Sequence, residues 1–340
     1  MKKTISLMLV LTLIVALAAG CGKKPTETPA TSETVTQYEF TVRELPEAKY
    51  ITPAETFAGG DGTEADPYQI SSAAELALLN KIVAEDQTSG EKSHYILTAD
   101  ISLNDVSDFD SWATKGPEYS WEPIGFGVGS SGFRGVLDGK GHTVSGIYIN
   151  TNCENSFSES LGLFAILRGT VKNLNIDKSY FEISGKDGYL GSIAGYLTDS
   201  GSVENCTSSA VIKTYDAYCG GLVGNAEGGV SIDLNKNKTE DYSKITGCTF
   251  SGQIEVVKEQ TAGLYIGGIV GTGDARIDSC TNEGELLFSA AGVSSAGGIA
   301  GLAGGGYIKN CKNTGKLLCK IPEQGEFAIA GGKAGGAEFY

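Results

Sequence analysis

Along most of the chain apolar residues alternate with polar ones instead of recurring at helical spacing, and the alternation comes in short runs broken by glycine. Tyr95-Ile96-Leu97-Thr98-Ala99-Asp100-Ile101 reads as a strand, as do the runs Phe133 to Gly139 and His142 to Ile149, which a glycine turn joins. One stretch departs from this period. Ser72 with Glu75 three places on forms a capping box, after which Leu76, Leu79, Ile82 and Val83 share one face through about Asp86. The spacing predicts a single helix, placed to cover the first strand edge of the β region that follows.

From residue 162 a unit recurs: Gly162-Leu163-Phe164-Ala165, Gly191 to Gly195, Gly220 to Gly224, Gly267 to Gly271, Gly297 to Gly301 and Gly331 to Gly335. The first glycines lie 29, 29, 47, 30 and 34 residues apart, a period near thirty with one insertion, which marks a solenoid whose repeats bury apolar surface by stacking. Each unit carries a second block, running Val171 to Leu174, Val203 to Cys206, Ile245 to Cys248, Ile277 to Cys280 and Ile308 to Cys311. Its third residue is Asn173, Asn205, Gly247, Ser279 or Asn310, and Asn and Gly tolerate a left-handed backbone, so a sharp bend is predicted there. Such a bend resets the alternation and turns Cys206, Cys248, Cys280 and Cys311 inward. A third short strand closes each unit at Gly252 to Ile254, Gly284 to Leu286 and Gly315 to Leu317. Three strands per thirty residues predict an all-β fold, a right-handed parallel β-helix with three sides. The N-terminal helical cap then occupies 56–105 and the repeats 106–340.

The repeat resembles that of the bacterial surface proteins that carry the GLUG motif, whose Gly-Leu-x-Gly core Gly221-Leu222-Val223-Gly224 matches letter for letter. The resemblance extends to Gly62-Thr63, the run Asp66 to Ile70, the helix, Trp121 to Gly125, and Phe133 to Ile149, and so covers most of residues 57–335. It implies surface display and binding. The family's modules occur in adhesin-like proteins and as accessory parts of immunoglobulin A metallopeptidases, and no binding residue carries over from it.

The N-terminus has the parts of an export leader: Lys2 and Lys3, an apolar run from Ile5 to Leu17, then Ala18, Ala19, Gly20 and Cys21. The last four resemble the bacterial lipobox, with Ala18 where that motif prefers Leu. The resemblance implies a signal peptide over 1–21, lipidation (palmitate included) of Cys21, and attachment to the extracytoplasmic face of the cell membrane through that lipid. Residues 22–55, rich in Thr, Glu and Pro, are expected to be a disordered tether.

Charge narrows the partners. The chain holds 26 basic and 41 acidic residues; without Lys2 and Lys3 the balance is 24 to 41, a net charge of −17, which argues against nucleic acid. The four aligned cysteines lie 42, 32 and 31 residues apart, without the close pairs that a zinc site needs, and are expected to form a dry interior ladder, the alternative being disulfides between adjacent rungs, whose spacing of about 4.8 Å only just admits the geometry. Cys153, Cys219 and Cys319 show no readable partner. With two histidines, His94 and His142, no His-Glu-x-x-His element exists. Asp100, Asp138 and Glu204 are the carboxylates that a polysaccharide-cleaving β-helix would need, but nothing in their spacing makes them converge. Asp233-Leu234-Asn235-Lys236-Asn237 mimics the start of a calcium loop, yet Lys238 and Lys244 stand where that loop needs Gly and Glu. The insertion 231–243 is expected to be a solvated recognition loop, and Tyr215, Tyr218 and Tyr265, near the corners, are candidates for stacking on sugars. The reading is therefore a non-catalytic adhesion protein without metal or cofactor, binding a glycan or host protein. The competing readings are a polysaccharide lyase or glycosidase, and a structural spacer. A last repeat that begins at Gly331 and has Lys333 where others have Ile or Leu is expected to reflect either a truncated reading frame or end-to-end self-association.

Overall fold

The computed structural model describes residues 48–85, 93–126, 132–151, 160–232, 238–257, 264–289, 293, 295–320 and 337–339. Cys21, the leader, most of the tether, Cys153, Asp233 to Asn237 and Gly331 to Gly335 lie outside the described residues.

The chain winds into three parallel sheets in which the strands of each repeat pair with their equivalents one repeat on, a β-solenoid. The first sheet contains Val136–Asp138, Thr170–Lys172, Ser202–Glu204, Ser243–Thr246 and the longer Val270–Asp278 and Ala300–Lys309. The second stacks seven short strands, among them Asn175–Asp177, Thr207–Ser208, Thr249–Phe250 and Thr281–Asn282. The third includes Tyr180–Gly191, Val211–Gly220, Gln253–Val256, Tyr265–Gly267 and Glu285–Ser289.

The predicted bend is where the first sheet gives way to the second. Asn173, Asn205, Gly247, Ser279 and Asn310 take φ of 52°, 52°, 66°, 55° and 53°. The asparagine amides also tie rungs together: Asn173 Nδ2 donates to Asp138 Oδ1 at 2.9 Å and Asn310 Nδ2 to Asp278 Oδ1 at 2.9 Å. Beyond the bend Leu174, Cys206, Cys248 and Cys280 point into the core and are fully buried.

Register makes the core a set of columns. Leu137, Val171, Val203, Ile245 and Ile277 lie over one another, as do Ile212, Ile254, Leu286 and Leu317, and all are buried. Another column is mixed, with Ile176, Ser208, Phe250 and Asn282 in turn, and it explains the repeat glycines. A methyl group added to Gly221 would lie 2.2 Å from the Gly268 carbonyl oxygen and 2.4 Å from the Phe250 ring, and one on Gly268 would lie 2.2 Å from the Gly298 carbonyl oxygen and 2.4 Å from the Asn282 side chain. One added to Gly224 would meet the Leu190 backbone nitrogen at 2.4 Å. The motif is glycine because neighbouring rungs and facing sheets both approach closely at that turn, without a positive φ.

The helix spans Ala73–Glu85. The Glu75 amide donates to Ser72 Oγ at 3.3 Å, while the Glu75 carboxylate accepts from the Ser71 amide at 2.7 Å, one residue earlier than a simple capping box. Leu76, Leu79 and Val83 enter the main core beside Ile70, whose strand ends the first sheet; Ile82 is half-buried. The insertion differs from the expected loop. Val230–Ile232 and Lys238–Glu240 pair antiparallel as a separate two-stranded ribbon.

Candidate functional site

Two residues before the first glycine of the first five repeats stand Ser160, Tyr189, Tyr218, Tyr265 and Ser295. Parallel register places them on successive rungs of the third sheet, where the two serines are buried and the three tyrosines half-buried. The three tyrosines stack: Tyr189 and Tyr218 have ring centroids 5.7 Å apart at 27°, and Tyr218 and Tyr265 are 5.6 Å apart at 13°. Tyr196, from the strand Ala194–Leu197 of the first sheet, stacks on Tyr189 at 5.7 Å and 16°. The result is a column of four half-buried rings along one outer corner. Ring faces are spent on one another within it, so the column offers solvent mainly ring edges and hydroxyls.

At the Tyr196 end the column meets a carboxylate. Tyr196 donates its hydroxyl to Glu227 Oε2, which also accepts from Thr198 Oγ1 at 3.3 Å. Burial, and then the bond to Glu227, raises the Tyr196 phenol well above its ordinary value, so it stays protonated. Glu227 lies just ahead of the insertion, and its carbonyl accepts from Ser243 Oγ at 2.6 Å, closing the base of the ribbon. Farther out, Arg276 pairs with Glu240 and lies over the Tyr242 ring at 5.2 Å. The same corner therefore carries an aromatic column and an anchored ribbon.

Of the tyrosines singled out from the sequence, Tyr218 and Tyr265 come together here. Tyr215 does not. Its hydroxyl faces Glu182 at 3.5 Å, within a network in which Tyr180 donates to Glu182 at 2.7 Å and Asn150 at 3.1 Å. Tyr189 and Tyr196 were missed, although aligning the repeats on their first glycines exposes Tyr189 at once. Tyr196 follows only from the packing of two sheets.

The carboxylates stay apart from this corner. Asp100 accepts from the Thr143 amide at 2.9 Å and meets His142 Nδ1 at 3.1 Å, and those two contacts hold its carboxyl below the usual range. Asp138 is pushed up by burial, but Asn173 and Lys140 outweigh this and leave it lowered. Glu204 stands two register positions beyond Asp138, with Lys172 between them. His94 begins a first-sheet strand, its amide bonded to the Gly62 carbonyl at 2.9 Å.

The thiols form the expected column. Cys206, Cys248 and Cys280 are fully buried and Cys311 half-buried, all unpaired; Cys219 and Cys319 are buried elsewhere. Contact with Cys248, with burial adding to it, pushes the Cys280 thiol up to about 12. Among the described residues no group of three or more His, Cys, Asp or Glu side chains is placed to hold a metal ion, and no helix is long and apolar enough to cross a membrane.

Residues 187–213 match the GLUG motif family, in the repeat just before the one whose letters fit its core. The chain is 33% identical over 153 residues to a protein provisionally named a Gly-rich membrane protein from Evansella cellulosilytica, and 32% identical over 167 residues to halomucin from Haloquadratum walsbyi. These matches take in 44% and 48% of this chain but only 16% and 2% of those relatives. A crystal structure provisionally named an immunoglobulin A1 protease from Bacteroides ovatus is similar at 20% identity and a TM-score of 0.49, over 84% of this chain and 86% of that one. Motif and architecture agree: the chain carries the GLUG motif within a parallel β-solenoid.

Proposed function

We propose that the chain is a lipid-anchored surface protein that binds a ligand without transforming it, the solenoid serving as a rigid support for the tyrosine corner. The observation that carries this reading is the column of Tyr196, Tyr189, Tyr218 and Tyr265 beside the ribbon. Tyrosine supplies a large apolar body with a polar tip at small cost in conformational entropy, which is why it is enriched at interfaces. Stacking holds these rings in place before a partner arrives, so little ordering is left for binding. A glycan or a host protein fits such a surface, through hydroxyl contacts and edge packing. The name of the Evansella relative supports a membrane or cell-surface location, and the leader ending at Cys21 supports attachment through lipid.

Binding is tested with the full chain on a glycan array and against immobilised host surface proteins. Tyr218→Ala, at the centre of the column, is expected to weaken any ligand found by about tenfold or more, the scale of a central aromatic anchor. Retention of wild-type affinity in that variant, with circular dichroism unchanged, would remove the column from the account. Anchoring is read by metabolic labelling with a fatty-acid analogue: label is expected on the wild-type chain and absent from Cys21→Ser. Labelled Cys21→Ser contradicts it.

A further inference from the structure

The thiol column lies in the core, apart from the half-buried tyrosine rings, and its geometry points to chemistry of its own. Cys206, Cys248, Cys280 and Cys311 hold one place on successive rungs, because the residues after them pair Thr207 with Thr249, Thr249 with Thr281 and Thr281 with Lys312. In-register strands lie about 4.8 Å apart. That spacing falls inside the window of about 4.4–6.8 Å between α-carbons that a disulfide requires. Two neighbouring pairs share a further contact: the Cys206 amide donates to Cys248 Sγ at 3.4 Å, and the Cys280 amide to Cys311 Sγ at 3.4 Å. Access separates the pairs. Cys206, Cys248 and Cys280 are fully buried, whereas Cys311, at the far end of the column, is half-buried.

We infer that Cys280 and Cys311 form a modification site at which a disulfide-bearing oxidant, a small molecule or a protein, installs a rung-to-rung disulfide in the folded chain. Cys311 loses its proton to solvent and its thiolate attacks one oxidant sulfur; the oxidant's S–S bond breaks and its first half leaves as a thiol. Cys280 then loses its proton and attacks the Cys311 sulfur, so the Cys280–Cys311 bond forms and the second half leaves as a thiol. Two protein thiols give up two electrons, and one oxidant disulfide is reduced to two thiols. Cys206 and Cys248 share the geometry but not the access, so they couple only when oxidant is present before the rungs close. Thiol contacts and burial raise the Cys280 and Cys311 thiols, which keeps both protonated near neutrality and makes the reaction faster as pH rises.

The test uses the full chain, folded under reducing conditions and then exposed to oxidised glutathione near the ordinary thiol pKa of about 8.5. Free thiols are alkylated and tryptic peptides are mapped without reduction. The expected product joins peptide 277–309 to peptide 310–312, with Cys206 and Cys248 still free. Refolding in the presence of oxidised glutathione is expected to add a link between peptides 187–213 and 245–258. A glutathione adduct that stays on Cys311 while Cys280 remains free overturns the inference, as does Cys280 joined to Cys248. Cys311→Ser, checked for an unchanged circular dichroism spectrum, is expected to leave Cys280 unoxidised in the folded chain; oxidation of Cys280 there has the same overturning force. Ligand binding is read separately through the tyrosine variants, so either account can fail without the other.

Discussion

At the corner between the first and second sheets a single dihedral sets the path of the chain. Asn205 sits at φ 52°, a left-handed conformation that costs an ordinary residue about 1–2 kcal/mol. Asn205→Ala is therefore expected to lower stability in urea by about that amount, and Asn205→Gly to stay within about 0.5 kcal/mol of wild type. Asp138 supplies a pH dependence. Its folded carboxyl is lowered, so its contribution is complete above the unfolded value of about 3.9 and is lost as pH falls through the lower folded value. Acid unfolding followed by circular dichroism should thus be less steep in Asp138→Asn than in the wild type. These corner residues were legible in the sequence, because a need for positive φ is local and selects Asn and Gly directly. The tyrosine column was legible only in part. Tyr218 and Tyr265 lie 47 residues apart across an insertion, and their contact appears only once the glycines have been put in register.

Among the elements, the glycine turn makes the sharpest prediction. A methyl group at Gly221 meets the Gly268 carbonyl oxygen at 2.2 Å and the Phe250 ring at 2.4 Å, so Gly221→Ala is expected to destabilise by about 1–3 kcal/mol in urea through overpacking. The helix depends on its first turn. Ser72→Ala removes the acceptor of the Glu75 amide and one donor to its carboxylate, for an expected loss of about 1 kcal/mol in urea. The helix was readable because capping box and apolar stripe agree over four turns. The ribbon was not legible in the sequence because Lys238-Thr239-Glu240 shows no apolar alternation.

Across the whole molecule stability is a sum over neighbouring rungs, since each circuit packs mainly on the circuits before and after it. The period of the glycines made this architecture evident from the sequence, and the 47-residue interval located the one repeat that carries the ribbon. What the period could not show is which outward positions line up into a binding surface, because outward side chains are free to vary while the core columns are not. The structural claim beneath every other is that residues one circuit apart lie side by side in parallel register. Amide-to-α-proton contacts in isotope-edited nuclear magnetic resonance test it most directly. The account predicts contacts linking Val203 with Ile245 and Ile245 with Ile277. Contacts that instead join each strand to the next in sequence, as in antiparallel hairpins, would contradict it.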